Sequence, residues 1–186
     1  MMTENKLKNT LKAKKRALKG IPRKNNPFSR IILCLFAFAL SGLIAGCGNS
    51  KLQQGWFLFE QADYTAAMRK FKPLAENGDG GAQFYLGLMY EKGHAVPQNH
   101  AKAARWYRLS AEQGFALAQN NLAMLYYNGK GVQQDYSKAA KWLELAAEQD
   151  NTAAISNLAV MHLYGHGVKQ DYKLAAGLLR RAARDG

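Results

Sequence analysis

The sequence predicts an all-α fold, a solenoid of stacked helical hairpins. Three observations carry that expectation: typed residues recur every 36 positions, apolar residues inside each copy fall at helical spacing, and glycines and cap residues punctuate every copy at the same places. Ala82, Ala118 and Ala154 stand 36 apart, as do Leu86, Leu122 and Leu158, and Gly93, Gly129 and Gly165. Val96, Val132 and Val168 keep the phase, followed by Asn99, Asp135 and Asp171 and by the alanines at 103, 139 and 175. No insertion breaks the register over three copies.

Each copy reads as two helices. In the first, Ala82, Leu86, Met89 and Tyr90 recur at helical spacing up to Lys92, and Gly93 is a left-handed C′ residue ending the helix. A short loop holds Val96 and Pro97. Asn99, Asp135 and Asp171 are N-cap types and open the second helix, which ends at Gly114 in the first copy. Alanines let the helices approach closely, while Trp106, Trp142, Tyr107, Leu143, Leu178 and Leu179 supply bulk between neighbouring pairs. One pair cannot bury its apolar faces alone, so stacked copies share a continuous core.

The stretch Leu122-Ala-Met-Leu-Tyr-Tyr-Asn-Gly-Lys-Gly-Val-Gln-Gln-Asp-Tyr-Ser-Lys-Ala-Ala-Lys-Trp142 resembles a Sel-one-like repeat, an α/α subgroup of the tetratricopeptide repeat superfamily with its longer loop carried by G-x-G-V-x-x-D. The resemblance implies a right-handed α/α solenoid and covers about residues 52–186. It divides the body into a tetratricopeptide-like hairpin at 51–81 and repeats at 82–117, 118–153 and 154–186. Three positions depart from the pattern: Ala95 replaces a loop glycine, Leu178 replaces the tryptophan, and His162 stands where Tyr90 and Tyr126 stand. Gly55 to Tyr64 looks like an ordinary tetratricopeptide turn, so the first hairpin is a shorter-looped cap. The last second helix stops at Gly186 with no polar capping helix after it, leaving Leu178 and Leu179 as candidates for an end-to-end contact.

Ahead of the repeats, Ile31 to Gly46 is a sixteen-residue stretch without charge behind a basic flank. As a helix it would span about 24 Å, short of the roughly 30 Å of a bilayer's hydrocarbon, and so reads as a secretory signal, the alternative being an uncleaved signal anchor with Cys47 at the membrane surface. Ile44-Ala45-Gly46-Cys47 resembles the lipobox of bacterial lipoproteins. That resemblance implies a signal peptide at 1–46, lipidation of the Cys47 thiol and a tether at 47–50. With Gly48 and not Asp after the cysteine, it further implies an outer-membrane lipoprotein facing the periplasm of a bacterial cell envelope.

The formal charge of +13 resembles a nucleic-acid signal only until it is divided along the chain. Residues 1–46 hold ten Lys and Arg against Glu4 alone, so the leader carries most of the excess and no nucleic-acid partner is expected. The body has no cysteine, which removes both a disulfide scaffold and the cysteine-paired repeats credited with β-lactamase activity in this family. His94, His100, His162 and His166 lack metal-ligand spacing, and the loop histidines, with Lys130 at the equivalent place, read as a tolerant solvent-exposed site. Gly129-Lys-Gly131 is too short to cradle phosphate, and Ser110 and Ser156 lie in no nucleophile elbow. Neither an enzyme nor any metal or cofactor is expected.

In the superfamily the first helix of each pair lines the concave surface. Carried onto this chain, that lining is Phe84, Leu88 and Glu91, then Asn120, Met124 and Tyr127, then Ser156, Val160 and Leu163, spaced as one helical stripe per copy. Its apolar, aromatic and amide character suits an extended or helical peptide, although packing against adjacent helices would explain the same residues. The expectation is a lipid-anchored adaptor that holds an envelope or host protein. The alternative is a structural protein associated with peptidoglycan or polysaccharide.

Overall fold

The computed structural model describes residues 50–185; the predicted leader and Cys47 lie outside the described residues. Among these, eight α-helices pair into four hairpins: α1 (Ser50–Glu60) with α2 (Tyr64–Glu76), α3 (Gly80–Lys92) with α4 (His100–Glu112), α5 (Ala116–Asn128) with α6 (Tyr136–Glu148), and α7 (Thr152–Tyr164) with α8 (Tyr172–Asp185). Each helix packs chiefly on its neighbours in the chain, as a solenoid requires.

The helix ends lie where the cap chemistry places them. Asn99, Asp135 and Asp171 accept the backbone N–H groups of Lys102, Lys138 and Leu174 at 2.9, 2.9 and 2.8 Å. Gly93, Gly129 and Gly165 are left-handed, with φ of 75°, 65° and 70°. The first helices begin two residues before the apolar pattern at Ala82, Ala118 and Ala154; Asp79 and Asn151 cap the first and third by accepting from Ala82 and Ala154 at 2.8 and 2.9 Å, while the second starts after Phe115 with no side-chain cap. In the first hairpin only three residues separate the helices, and Asp63 accepts from the Ala66 N–H at 3.0 Å.

The seven-residue loops of the later hairpins reach back onto the preceding hairpin. A Cβ at Gly131 would collide with the backbone of His100 and Ala101, and one at Gly167 with Tyr136 and Ser137, so glycine is required there both for φ and for approach. Ala95 holds the equivalent place with φ of 59° and is exposed.

Within each hairpin a small residue faces a large one. Gly55 lies under the Phe71 ring, where a Cβ would come within 2.5 Å of Cε1, and Gly87 lies under Tyr107, where a Cβ would come within 2.5 Å of Cδ1. In phase with Gly87 and Tyr107 stand Ala123 and Leu143, which share the core, and then Ala159 and Leu179. Phe71, Tyr107 and Leu143 are wholly buried. At about 25 cal/mol per Å² of apolar surface, each contributes roughly 2–3 kcal/mol of burial.

Neighbouring hairpins are sealed by a repeated amide latch. Gln83 donates to the Ala75 carbonyl at 3.1 Å and accepts from Gln113 at 2.8 Å. One repeat later Gln119 donates to the Ala111 carbonyl at 3.1 Å and accepts from Gln149 at 2.8 Å. Both target carbonyls lie in the last turn of a helix, where no intrahelical donor remains. In the third copy Ile155 replaces the glutamine, and Arg181 of α8 donates to the Ala147 carbonyl at 2.8 Å while pairing with Asp150. Each carbonyl also accepts a backbone N–H from the turn that follows, Gly78, Gly114 and Asp150 at 3.0, 3.0 and 3.1 Å, so the side-chain donor fills the second lone pair with whichever group reaches.

Candidate interaction surface

The nine residues expected to form a groove lie on α3, α5 and α7, and those helices differ in charge from their partners. Neither α5 nor α7 contains an Asp, Glu, Lys or Arg, whereas α4 and α6 carry Lys102, Arg105, Arg108 and Glu112, and Lys138, Lys141, Glu144 and Glu148. α5 and α7 present apolar and amide side chains, α3 adds Glu91 and Lys92 in its last turn, and α4 and α6 hold most of the charge.

Of the nine, Val160 is exposed and the other eight are half-buried. Phe84 lies against Tyr85 and Tyr107, with ring centroids 5.3 and 6.0 Å apart, and Leu88 packs against the core from its edge. Glu91 accepts the Tyr107 hydroxyl at 2.7 Å. Burial and that bond to Glu91 push the Tyr107 phenol well above its ordinary range, so it stays protonated and donates. Asn120 is joined to its neighbour Asn121 at 3.2 Å and accepts from Asn157 at 2.9 Å. Tyr127 bonds its hydroxyl to His166 Nδ1 at 2.8 Å, and Ser156 turns its hydroxyl onto the Thr152 carbonyl at 3.0 Å. Met124 and Leu163 complete the stripe.

Two features escaped the sequence reading. The first is a side-chain chain across three copies, Glu91–Tyr107–Asn121–Asn120–Asn157, in which Asn121 donates to the Tyr107 oxygen at 3.2 Å. Asn121 and Asn157 are in phase, so an amide repeated in helices that carry no charge was the available signal. The second corrects the loop histidines. His94 and His166 are half-buried, and the first stacks on Tyr64 with ring centroids 3.9 Å apart, the second on Tyr136 at 4.8 Å. They are not a free solvent site: Tyr64 and Tyr136, each the first residue of the second helix in the preceding hairpin, give each imidazole a face to lie on. Leu117 and Tyr164, 56 % and 62 % exposed, extend the uncharged surface on α5 and α7.

Among the described residues no group of three His, Cys, Asp or Glu side chains converges to hold a metal, and no helix is long and apolar enough to cross a membrane. What the face offers is apolar contact interrupted by amides, a chemistry of binding. The Sel1 repeat family model matches residues 80–115, 116–151 and 152–186. The chain belongs to the Sel1 repeat family.

The family's fold is a protein-interaction scaffold without catalytic machinery of its own. Two solved structures are similar. A Sel1 repeat protein from Oxalobacter formigenes is 35 % identical with a TM-score of 0.69, over 73 % of this chain and 56 % of its own. The second, c5321, is described as a protective antigen present in uropathogenic Escherichia coli strains and displaying an SLR fold. It is 32 % identical with a TM-score of 0.71, over 87 % of this chain and 34 % of its own. This Sel1 chain thus spans about half the length of one relative and a third of the other. Among curated proteins none matches.

Proposed function

We propose that this protein is a lipid-anchored adaptor of the bacterial cell envelope, holding a segment of another protein along the face of α3, α5 and α7, which is uncharged but for Glu91. The observation that carries the reading is the segregation of charge: α5 and α7 have none, while Leu117, Val160 and Tyr164 stand exposed on them. A helix face free of charge yet open to water is the kind of surface that gains by being covered. The half-buried amides Asn120, Asn121 and Asn157 supply donors and acceptors for a peptide backbone laid across the copies. The leader and the lipobox-like Ile44 to Cys47 support export and anchoring at Cys47.

The test uses exposed positions, since Tyr127 is tied to His166. Leu117→Glu with Val160→Glu introduces charge into the face without opening the core, and crosslinking in living cells compares the two proteins by mass spectrometry. A protein captured by the wild type and lost in the variant is the expected result. Equal capture by both, or capture of wall polymer alone, overturns the adaptor. For the anchor, Cys47→Ala leaves an unprocessed precursor; normal maturation of that variant rules lipidation out.

A further inference from the structure

The second helices carry a different surface, set into the junctions between hairpins. Where α2 meets α3 and α4, Lys72, Lys102 and Arg105 line a cavity of about 250 Å³ together with Tyr90, Trp106 and the carboxylate of Glu76. Where α4 meets α5 and α6, Arg108 and Lys138 line one of about 340 Å³ together with Tyr126 and Asp135. Three positions are shared in phase. Lys72 and Arg108 come from the preceding hairpin, Tyr90 and Tyr126 from the last turn of the first helix, and Lys102 and Lys138 from the first turn of the second.

The tyrosine organises the cations. Lys102 Nζ lies 5.3 Å from the centroid of the Tyr90 ring, and Lys138 Nζ lies 5.6 Å from that of Tyr126. Arg108 donates to the Tyr126 hydroxyl at 2.8 Å, which fixes one edge of the guanidinium and leaves its other N–H groups and the tyrosine O–H to give. The carboxylates present do not saturate these donors. Lys138 gives one N–H to Asp135, 2.9 Å away, and Lys72 stands 4.0 Å from Glu76, so each cavity sets two or three cations against one acid. Stacking does not require the arrangement. In the third junction the same positions are Glu144, His162 and Leu174, yet α6 packs on α7 and α7 on α8.

We infer that the two junction cavities form a binding site for an extended acidic segment of a partner protein, with one carboxylate side chain entering each cavity. The cations fix the charge of the occupant, and the apolar surface beside them fixes its kind. Leu109, 45 % exposed, and the half-buried Trp106 line the first cavity and Val132 the second, so an acid flanked by an apolar residue meets both surfaces. A uniformly charged polymer or an anionic bilayer fits worse. Glu76 and Asp135 would repel it, as would the exposed Glu112, which falls within about 40° of Arg105 and Arg108 on α4. A polypeptide places its acids singly and avoids them. This site is independent of the face of α3, α5 and α7.

The test takes the full chain in detergent micelles and a fluorescent peptide of two Glu-Leu pairs joined by a Gly/Ser linker, read by anisotropy. K72E/R108E gives both junctions the acid that the third already has, at exposed positions. It should weaken binding at least fivefold, and added salt should shrink the difference. E144R/H162Y/L174K builds the arrangement into the third junction and should tighten binding at least twofold, a gain that misfolding does not mimic. The basic leader is common to all three proteins, so the differences among them read the cavities. A twin peptide with Gln for Glu should bind all three alike. The inference falls if K72E/R108E keeps both its helical signal and its affinity, if the triple variant gains nothing, or if the twin separates the proteins equally well. It falls too if the loss in K72E/R108E is confined to polygalacturonate or to phosphatidylglycerol vesicles, which would assign the cavities to a glycan or to a lipid surface.

Discussion

The first two hairpins and the third build the same contact with opposite division of volume. Gly55 under Phe71 and Gly87 under Tyr107 set no side chain against a large ring, whereas Ala123 with Leu143 sets a methyl against a branched chain, and Ala159 and Leu179 stand in phase with them. What the repeat holds constant is the filled space between two helices, not either residue, as close-packed interiors require. Tyr107 adds something that Leu143 lacks. Its hydroxyl, held protonated by burial and by Glu91, joins α3 to α5 through Asn121.

The largest effect should come from emptying that space. Tyr107→Ala removes a wholly buried ring and both of its bonds, and about 3–5 kcal/mol of unfolding free energy should be lost by chemical denaturation. Gly87→Ala overfills it and should lose about 1–3 kcal/mol. The two hairpin types predict their own remedy: Gly87→Ala with Tyr107→Leu recreates the Ala123–Leu143 pair and should recover most of the methyl's penalty. The coupling energy in a double-mutant cycle should be about 1–3 kcal/mol. Strictly additive losses would mean that the two hairpin types are not interchangeable and that the volume argument fails.

A smaller effect sharpens the comparison between latches. Gln119→Ile copies the third repeat into the second and removes one of the two bonds to the Ala111 carbonyl, which keeps the Gly114 N–H at 3.0 Å, so the loss should be about 0.5–1.5 kcal/mol. Arg181 answers the same need in the third repeat, and its equivalent in α6 is Leu145, 44 % exposed. Adding Leu145→Arg to Gln119→Ile should therefore return part of the loss, measured as a rise in Tm. No rise would show that Arg181 works through Asp150 and not through the carbonyl.

The hairpins were legible because each helix end is marked by a residue type with one physical use: Gly93, Gly129 and Gly165 for a left-handed φ, and Asn99, Asp135 and Asp171 for an accepting side chain. Periodicity then supplied the stacking. The latch was less legible, since Gln83 and Gln119 recur in phase yet look like surface residues until the carbonyl beneath them is known. For the candidate face, the stripe of nine was readable from helical spacing, but its depth was not. Whether Phe84 and Leu88 stand proud or sink to half-burial depends on the size of Tyr107 beneath them, a residue of another helix. The histidines were misread for the same reason: His94 and His166 are placed by Tyr64 and Tyr136, about thirty residues away in the sequence.

The smallest effect separates two hairpins that are otherwise capped alike. Asn99 and Asp135 occupy the same place and each accept one backbone N–H at 2.9 Å, but only Asp135 titrates. The Lys138 backbone N–H, then its ammonium 2.9 Å away, hold the Asp135 carboxyl below its ordinary range. A carboxyl whose folded pKa is depressed contributes stability that is fully present above its unfolded pKa and is lost as the pH falls through the folded one. The α6 cap should therefore weaken on acidification below the ordinary carboxylate range while the α4 cap does not. Amide exchange at Lys138 and Lys102 reads the two caps separately within one molecule. Asp135→Asn should make the pair alike, with exchange at Lys138 no longer accelerated by acid relative to Lys102. If the difference between the two amides persisted in that variant, the acid sensitivity would belong to the α5–α6 loop and not to the cap.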